Sequence, residues 1–127
     1  MFMNANNILA SAHVLENYQE CNYEAALLGI DQLNQKIPFN QQVVDAWRAY
    51  FCMLLGKFDE AKKHLDKAQL QDTAQNQFYA IKGHWHLIHG DVKAAIECYH
   101  LQKDKKSMED DFRHIEMVFG IKPPRWQ

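Results

Sequence analysis

Residues 56–68 read GKFDEAKKHLDKA, and residues 90–102 read GDVKAAIECYHLQ. Both stretches begin with glycine, and an apolar residue follows two positions later. An alanine stands three positions after that residue, and an apolar or aromatic residue stands four positions after the alanine. The second stretch begins 34 residues after the first. A period of this length is typical of stacked helix-turn-helix units, each of which buries its apolar side against the next. The spacing therefore predicts an all-α repeat domain.

A weaker copy of the same pattern lies earlier in the chain, at residues 21–33, CNYEAALLGIDQL. It is offset by one residue, and the loop at residues 37–40 would absorb that shift. Small residues also stand near the middle of the first helix of each unit: Val14, Ala49 and Gly83. Over about residues 7–104 the pattern resembles the tetratricopeptide repeat (TPR) family. The resemblance implies one domain, a superhelix of about seven antiparallel helices with repeats at about 7–40, 41–74 and 75–106.

Start and stop signals delimit seven helices. Asn40 and Asp91 are predicted to cap two of them, and glycines end three. The expected ranges are 8–20, 23–35, 40–55, 59–70, 72–89, 91–103 and 107–119.

The last of these helices carries Met108, Phe112, Ile115 and Phe119 on one face. Because the final unit of a repeat array otherwise leaves an apolar face bare, we interpret residues 107–119 as a capping helix. The tail at residues 120–127 contains two prolines and cannot continue a helix. Trp126 would either fold back on the cap, which we favour, or serve as a docking element.

Composition excludes several functional classes. The net charge is −2, and the lysines of residues 57–67 alternate with acids, so no nucleic-acid surface is predicted. No secretory signal and no apolar run long enough to span a bilayer is present, which argues against membrane insertion. The cysteines are odd in number and widely spaced: Cys21, Cys52 and Cys98. Reduced thiols and a cytoplasmic location are expected.

Signatures of catalysis and of bound cofactors are missing from the sequence. It has no glycine-rich phosphate loop, no HExxH, no GxSxG and no dinucleotide fingerprint. Cys98 and His100 would point apart on a helix, which is the wrong geometry for an activated thiol. His86 and His89 could share a helix face with each other but not with His84, so packing is favoured over a metal site. We therefore expect no enzyme activity, no cofactor and no metal.

The resemblance to TPR proteins implies a concave groove lined by the first helix of each repeat. The residues assigned to this groove are mostly apolar or aromatic: Leu15, Tyr18, Trp47, Tyr50, Met53, Leu54, Ile81, His84, Leu87 and Ile88. The set of Lys, Arg and Asn with which some TPR domains hold acidic chain ends is absent. The alternative is that these side chains are simply core. Arg48 falls beside the groove, where Asp45 can pair with it.

The resemblance thus implies a protein-interaction module, an adaptor or chaperone that holds an apolar or amphipathic helical segment of another protein. Small TPR chaperones that keep secretion-system subunits from assembling too early are similar in size and groove character. The alternative is a structural protein that binds itself, forming a homo-oligomer through the same apolar face.

Overall fold

Seven helices make up the described part of the chain, residues 14–36, 41–69, 78–102, 105 and 108–125. They are α1 Val14–Gln19, α2 Tyr23–Lys36, α3 Gln41–Leu54, α4 Phe58–Gln69, α5 Phe78–Ile88, α6 Val92–Leu101 and α7 Met108–Phe119. The described residues of this computed structural model contain no strand, so the all-helical prediction is confirmed. The predicted cap Asn40, the expected helix start at residues 72–73 and Trp126 lie outside the described residues.

Three of the turns between helices share one hydrogen-bond pattern. After α3, the amide of Lys57 donates to the carbonyl of Cys52 (2.8 Å) and that of Gly56 to Met53 (3.0 Å). The same pair of bonds follows α5 around Gly90 and follows α1 around Cys21. This Schellman arrangement needs a left-handed residue, and the φ angles are +77°, +88° and +63° for Gly56, Gly90 and Cys21. The chain therefore turns in the same way at all three places, although one of them lacks the glycine that favours the turn.

The next helix begins directly after each of these turns. At α6 the predicted cap is confirmed, because a side-chain oxygen of Asp91 accepts the amide proton of Ala94 (3.1 Å). The short connections make α1–α2, α3–α4 and α5–α6 pack as helical hairpins, and α3 also packs against α2 and α5. This pairing is compatible with a helical-hairpin repeat.

Small residues recur at buried positions of the paired helices. Ala26, Ala61 and Ala95 occupy equivalent positions on α2, α4 and α6, and all three are fully buried. Gly83 on α5 has the tightest surroundings, since a Cβ atom there would lie 2.5 Å from Cε1 of Tyr99 on α6. A larger side chain at this crossing would have to displace a buried ring.

Helix α3 forms the centre of the molecule. From Val43 to Leu54 every residue of α3 is buried except Arg48, which is partly exposed. The guanidinium of Arg48 contacts the carboxylate of Asp31 at 2.6 Å and that of Asp45 at 3.6 Å, so the predicted pairing with Asp45 is present. None of the described helices combines the length and the apolar character needed to cross a membrane.

Candidate functional site

The C-terminal helix α7 lies against α3 and α5, the first helices of the second and third hairpins. Its buried side chains are Met108, Asp111, Phe112, His114 and Ile115. Two of these are polar, although Asp111 is only 3% exposed and His114 only 1% exposed. We call the surface that these two residues contact the inner face, and define it by Tyr18 on α1, Tyr50 on α3 and His84 on α5.

The carboxylate of Asp111 is the centre of a buried hydrogen-bond network. One oxygen accepts a hydrogen bond from the Tyr18 hydroxyl (2.7 Å), and the other lies 2.9 Å from Nε2 of His84. The hydroxyls of Tyr18 and Tyr50 are also hydrogen-bonded to each other. On the far side of the imidazole, Nδ1 of His84 lies 2.9 Å from the Tyr99 hydroxyl. Helices α1, α3, α5, α6 and α7 thus meet at one polar cluster.

The tyrosines of the cluster remain protonated, which limits the directions that these hydrogen bonds can take. Burial, and after it the charge of Asp111, raises the pKa of Tyr18, Tyr50 and Tyr99 well above the usual value for a phenol. Their hydroxyls therefore keep their protons, and each can donate one hydrogen bond. We assign the Tyr99 proton to the bond with Nδ1 of His84, which places the imidazole proton on Nε2, where it is donated to Asp111. Each oxygen of the carboxylate then accepts one hydrogen bond.

His114 forms a second contact between α7 and the first hairpin. Its ring stacks on Tyr18, with centroids 4.1 Å apart and an angle of 25° between the planes. Its Nδ1 lies 2.7 Å from the Tyr23 hydroxyl and 3.9 Å from the sulfur of Cys21. Nε2 is buried without a hydrogen-bond partner among the described residues. Burial, followed by the charge of Arg113, lowers the pKa of His114, which favours the neutral ring.

The residues predicted to line a groove lie close together, but their side chains are buried by the rest of the chain. Eight of them are buried: Tyr18, Trp47, Tyr50, Met53, Leu54, Ile81, His84 and Leu87. The other two, Leu15 and Ile88, are partly buried against the same core. Helices of the same chain cover these side chains, and α7 covers the inner face among them. A binding role for these residues stays a prediction, and at the inner face it would require α7 to move.

Sequence reasoning missed the residues of α7 that contact the inner face. Asp111 lies three residues after Met108 and four before Ile115, which places it on the apolar stripe of the helix. His114, three residues after Asp111, lies on the same side. A polar residue within an apolar stripe was the available signal, because such a residue needs a buried partner.

A hydroxyl, an imidazole and a carboxylate are linked in succession by hydrogen bonds, as in a catalytic triad: Tyr99, His84 and Asp111. An activated nucleophile requires a lowered pKa or an accessible hydroxyl, whereas Tyr99 is fully buried and its pKa is raised. The arrangement therefore suits structural hydrogen bonding.

His89, another histidine considered as a ligand, lies outside this cluster. His89 stacks on Trp85, with ring centroids 4.0 Å apart, and its Nδ1 lies 2.7 Å from the carbonyl oxygen of Trp85. Among the described residues, no group of three His, Cys, Asp or Glu side chains is arranged to hold a metal ion.

Comparisons of the chain with family models, with curated proteins and with solved structures found no match.

Proposed function

We propose that the chain is a TPR-like protein-interaction module, an adaptor or chaperone, that holds an amphipathic helix of another protein on its inner face. The observation that supports this proposal is the position of α7. An amphipathic helix of the same chain already occupies the face that the first helices present, and it does so through side chains of mixed apolar and polar character. A surface that accepts one such helix has the shape and chemistry to accept another.

The attachment of α7 is limited in extent, which favours exchange with a partner. The helix has 12 residues, and its buried apolar side chains are Met108, Phe112 and Ile115. Burial of three such side chains contributes on the order of 5–9 kcal/mol before the entropy of ordering the helix is subtracted. Towards its C-terminal end, Phe119 packs on Phe58 with ring centroids 6.1 Å apart, but Met117 and Val118 remain 58% and 40% exposed. A partner helix with more apolar contacts would compete effectively for the same surface.

In the test, a substitution releases α7 from the rest of the 127-residue chain, and the same helix is then supplied as a separate peptide. Ile115→Asp places an unpaired charge at a fully buried position and should release α7. The matched control is Met117→Asp, the same change on the exposed side of the same helix. The probe is a fluorescent peptide with the sequence of residues 105–122, and binding is measured by fluorescence anisotropy.

We expect the peptide to bind the Ile115→Asp chain at least about tenfold more tightly than the Met117→Asp or unmodified chain, since only the first has an open face. Circular dichroism checks that the hairpins remain helical. Met108→Asp, at another fully buried position of α7, repeats the experiment if Ile115→Asp does not fold. Absence of peptide binding to folded chains with a released α7 would refute the proposal.

A further inference from the structure

We propose that the inner face is a receptor for a carboxylate on the partner helix, at the position that Asp111 occupies in α7. This inference rests on the proposed function and specifies the chemistry of the partner. It is carried by two donors from different hairpins that converge on one anion. The Tyr18 hydroxyl on α1 and Nε2 of His84 on α5 lie 2.7 Å and 2.9 Å from the two oxygens of Asp111.

Both donors are held in place by residues outside α7. Tyr18 is hydrogen-bonded to Tyr50 on α3, and the two rings meet edge to face with centroids 5.6 Å apart. His84 is oriented by Tyr99 on α6, whose hydroxyl lies 2.9 Å from Nδ1. Because these partners belong to the hairpins, their contacts with the donors do not depend on α7. A site whose donors are already oriented loses less entropy when an anion binds.

The receptor distinguishes a carboxylate from other side chains of similar size. A carboxylate only accepts hydrogen bonds, so it satisfies both donors at once. An amide in its place would direct its own N–H group at one of the two donors. An apolar side chain would leave both donors without an acceptor. No lysine or arginine is among the buried residues of the described chain. Recognition therefore depends on two donors, Tyr18 and His84, that converge on one anion.

The apolar contacts of α7 define the rest of the partner sequence. Relative to Asp111, the buried apolar residues stand at positions −3, +1 and +4: Met108, Phe112 and Ile115. Phe112 packs edge to face on both His84 and Tyr99, with centroids 5.6 Å and 5.2 Å apart. The ring thus shields the imidazole that binds the acid. The expected partner is an amphipathic helix with an aspartate or glutamate flanked by apolar residues at this spacing.

The experiment compares three peptides on one host, the full-length chain carrying Ile115→Asp. The peptides cover residues 105–122 with the native sequence, with Asp111→Asn and with Asp110→Asn. Asp110 is the matched control, because it is the adjacent acid on the same helix and is exposed. Met108→Asp serves as a second host, and sedimentation velocity reports whether the host chains associate with each other.

We expect Asp111→Asn to weaken peptide binding by about tenfold or more and Asp110→Asn by about twofold or less, since only Asp111 meets buried donors. In a host that also carries Tyr18→Phe, the preference for Asp111 over Asn should shrink, because one donor is gone.

Two results separate this inference from the proposed function. Equal binding of the native and Asp111→Asn peptides would overturn the receptor and leave helix binding intact. Failure of every peptide to bind would overturn both. If the hosts instead form dimers that exclude the peptide, the occupant is a second copy of the chain and the inference is also overturned.

Discussion

Replacement of Asp111 by alanine tests whether the polar cluster stabilises the folded chain. In the structure this side chain is 3% exposed and accepts hydrogen bonds from Tyr18 and His84. Its removal leaves two buried donors without an acceptor, at a cost of about 1–3 kcal/mol each. The desolvation penalty of the buried carboxylate is removed at the same time. The net loss in the free energy of unfolding should therefore be about 2–4 kcal/mol.

Asp110→Ala, at the neighbouring position, is the control with which the loss of stability in Asp111→Ala is compared. Asp110 is exposed and pairs with Arg113 at 3.0 Å on the same helix. An exposed ion pair contributes about 0.2–1 kcal/mol. Both aspartates lie in the first turn of α7, so the loss of favourable interaction with the helix dipole is similar in the two variants. The difference between the variants then reports the buried hydrogen bonds.

Urea unfolding followed by circular dichroism measures the two free energies, and hydrogen exchange with mass spectrometry locates the change. We expect faster exchange in α7 and in the helices beneath it for Asp111→Ala, with little change for Asp110→Ala. If the two variants differ in stability by less than about 0.5 kcal/mol, the donors on the inner face do not depend on this carboxylate, and the reasoning is refuted.

Two further predictions concern the crossing of α5 with α6 and the response to acid. Gly83→Ala should lower the free energy of unfolding by up to about 2 kcal/mol, because overpacking against the buried Tyr99 ring costs about 1–3 kcal/mol and exceeds the gain of about 1 kcal/mol in helix propensity. A melting temperature equal to or above that of the unmodified chain would contradict this. The pKa of His114 is lower in the folded chain than its usual value near 6.5, so its contribution to stability is complete above about pH 6.5 and is lost as the pH falls below it. Melting temperatures measured from pH 8 to pH 5 should therefore decline less steeply for His114→Phe than for the unmodified chain. Parallel curves for the two chains would show that His114 is not responsible for the loss of stability in acid.

The sequence alone was sufficient for the order of the described helices and for most of their ends, because these signals are local. Glycine at 56 and 90 adopts the left-handed backbone that ends a helix, and Asp91 caps the helix that follows. The buried alanines recur at the positions where the period placed them. Each of these features depends on residues within one or two turns of the chain, so spacing along the sequence is enough to identify it.

Spacing along the sequence did not predict which part of the chain covers the groove residues. The apolar spacing of residues 108–119 predicted a helix with one buried face, and that spacing is satisfied by any apolar surface of the right size. The sequence did not indicate that the helix would cover Tyr18, Tyr50 and His84. It also gave no reason to pair Asp111 with a tyrosine 93 residues earlier in the chain.

The sequence by itself determined the period, the turns and the amphipathic character of each helix, because these follow from backbone geometry and from the separation of polar and apolar residues over short distances. Only the tertiary structure decided that α7 lies on the inner face, that Asp111 and His114 are buried there, and which groups are hydrogen-bonded to each other. Hydrophobic burial is non-directional and leaves many docking positions open. A buried carboxylate is far more selective, because it is stable only where donors from separate helices converge on both of its oxygens.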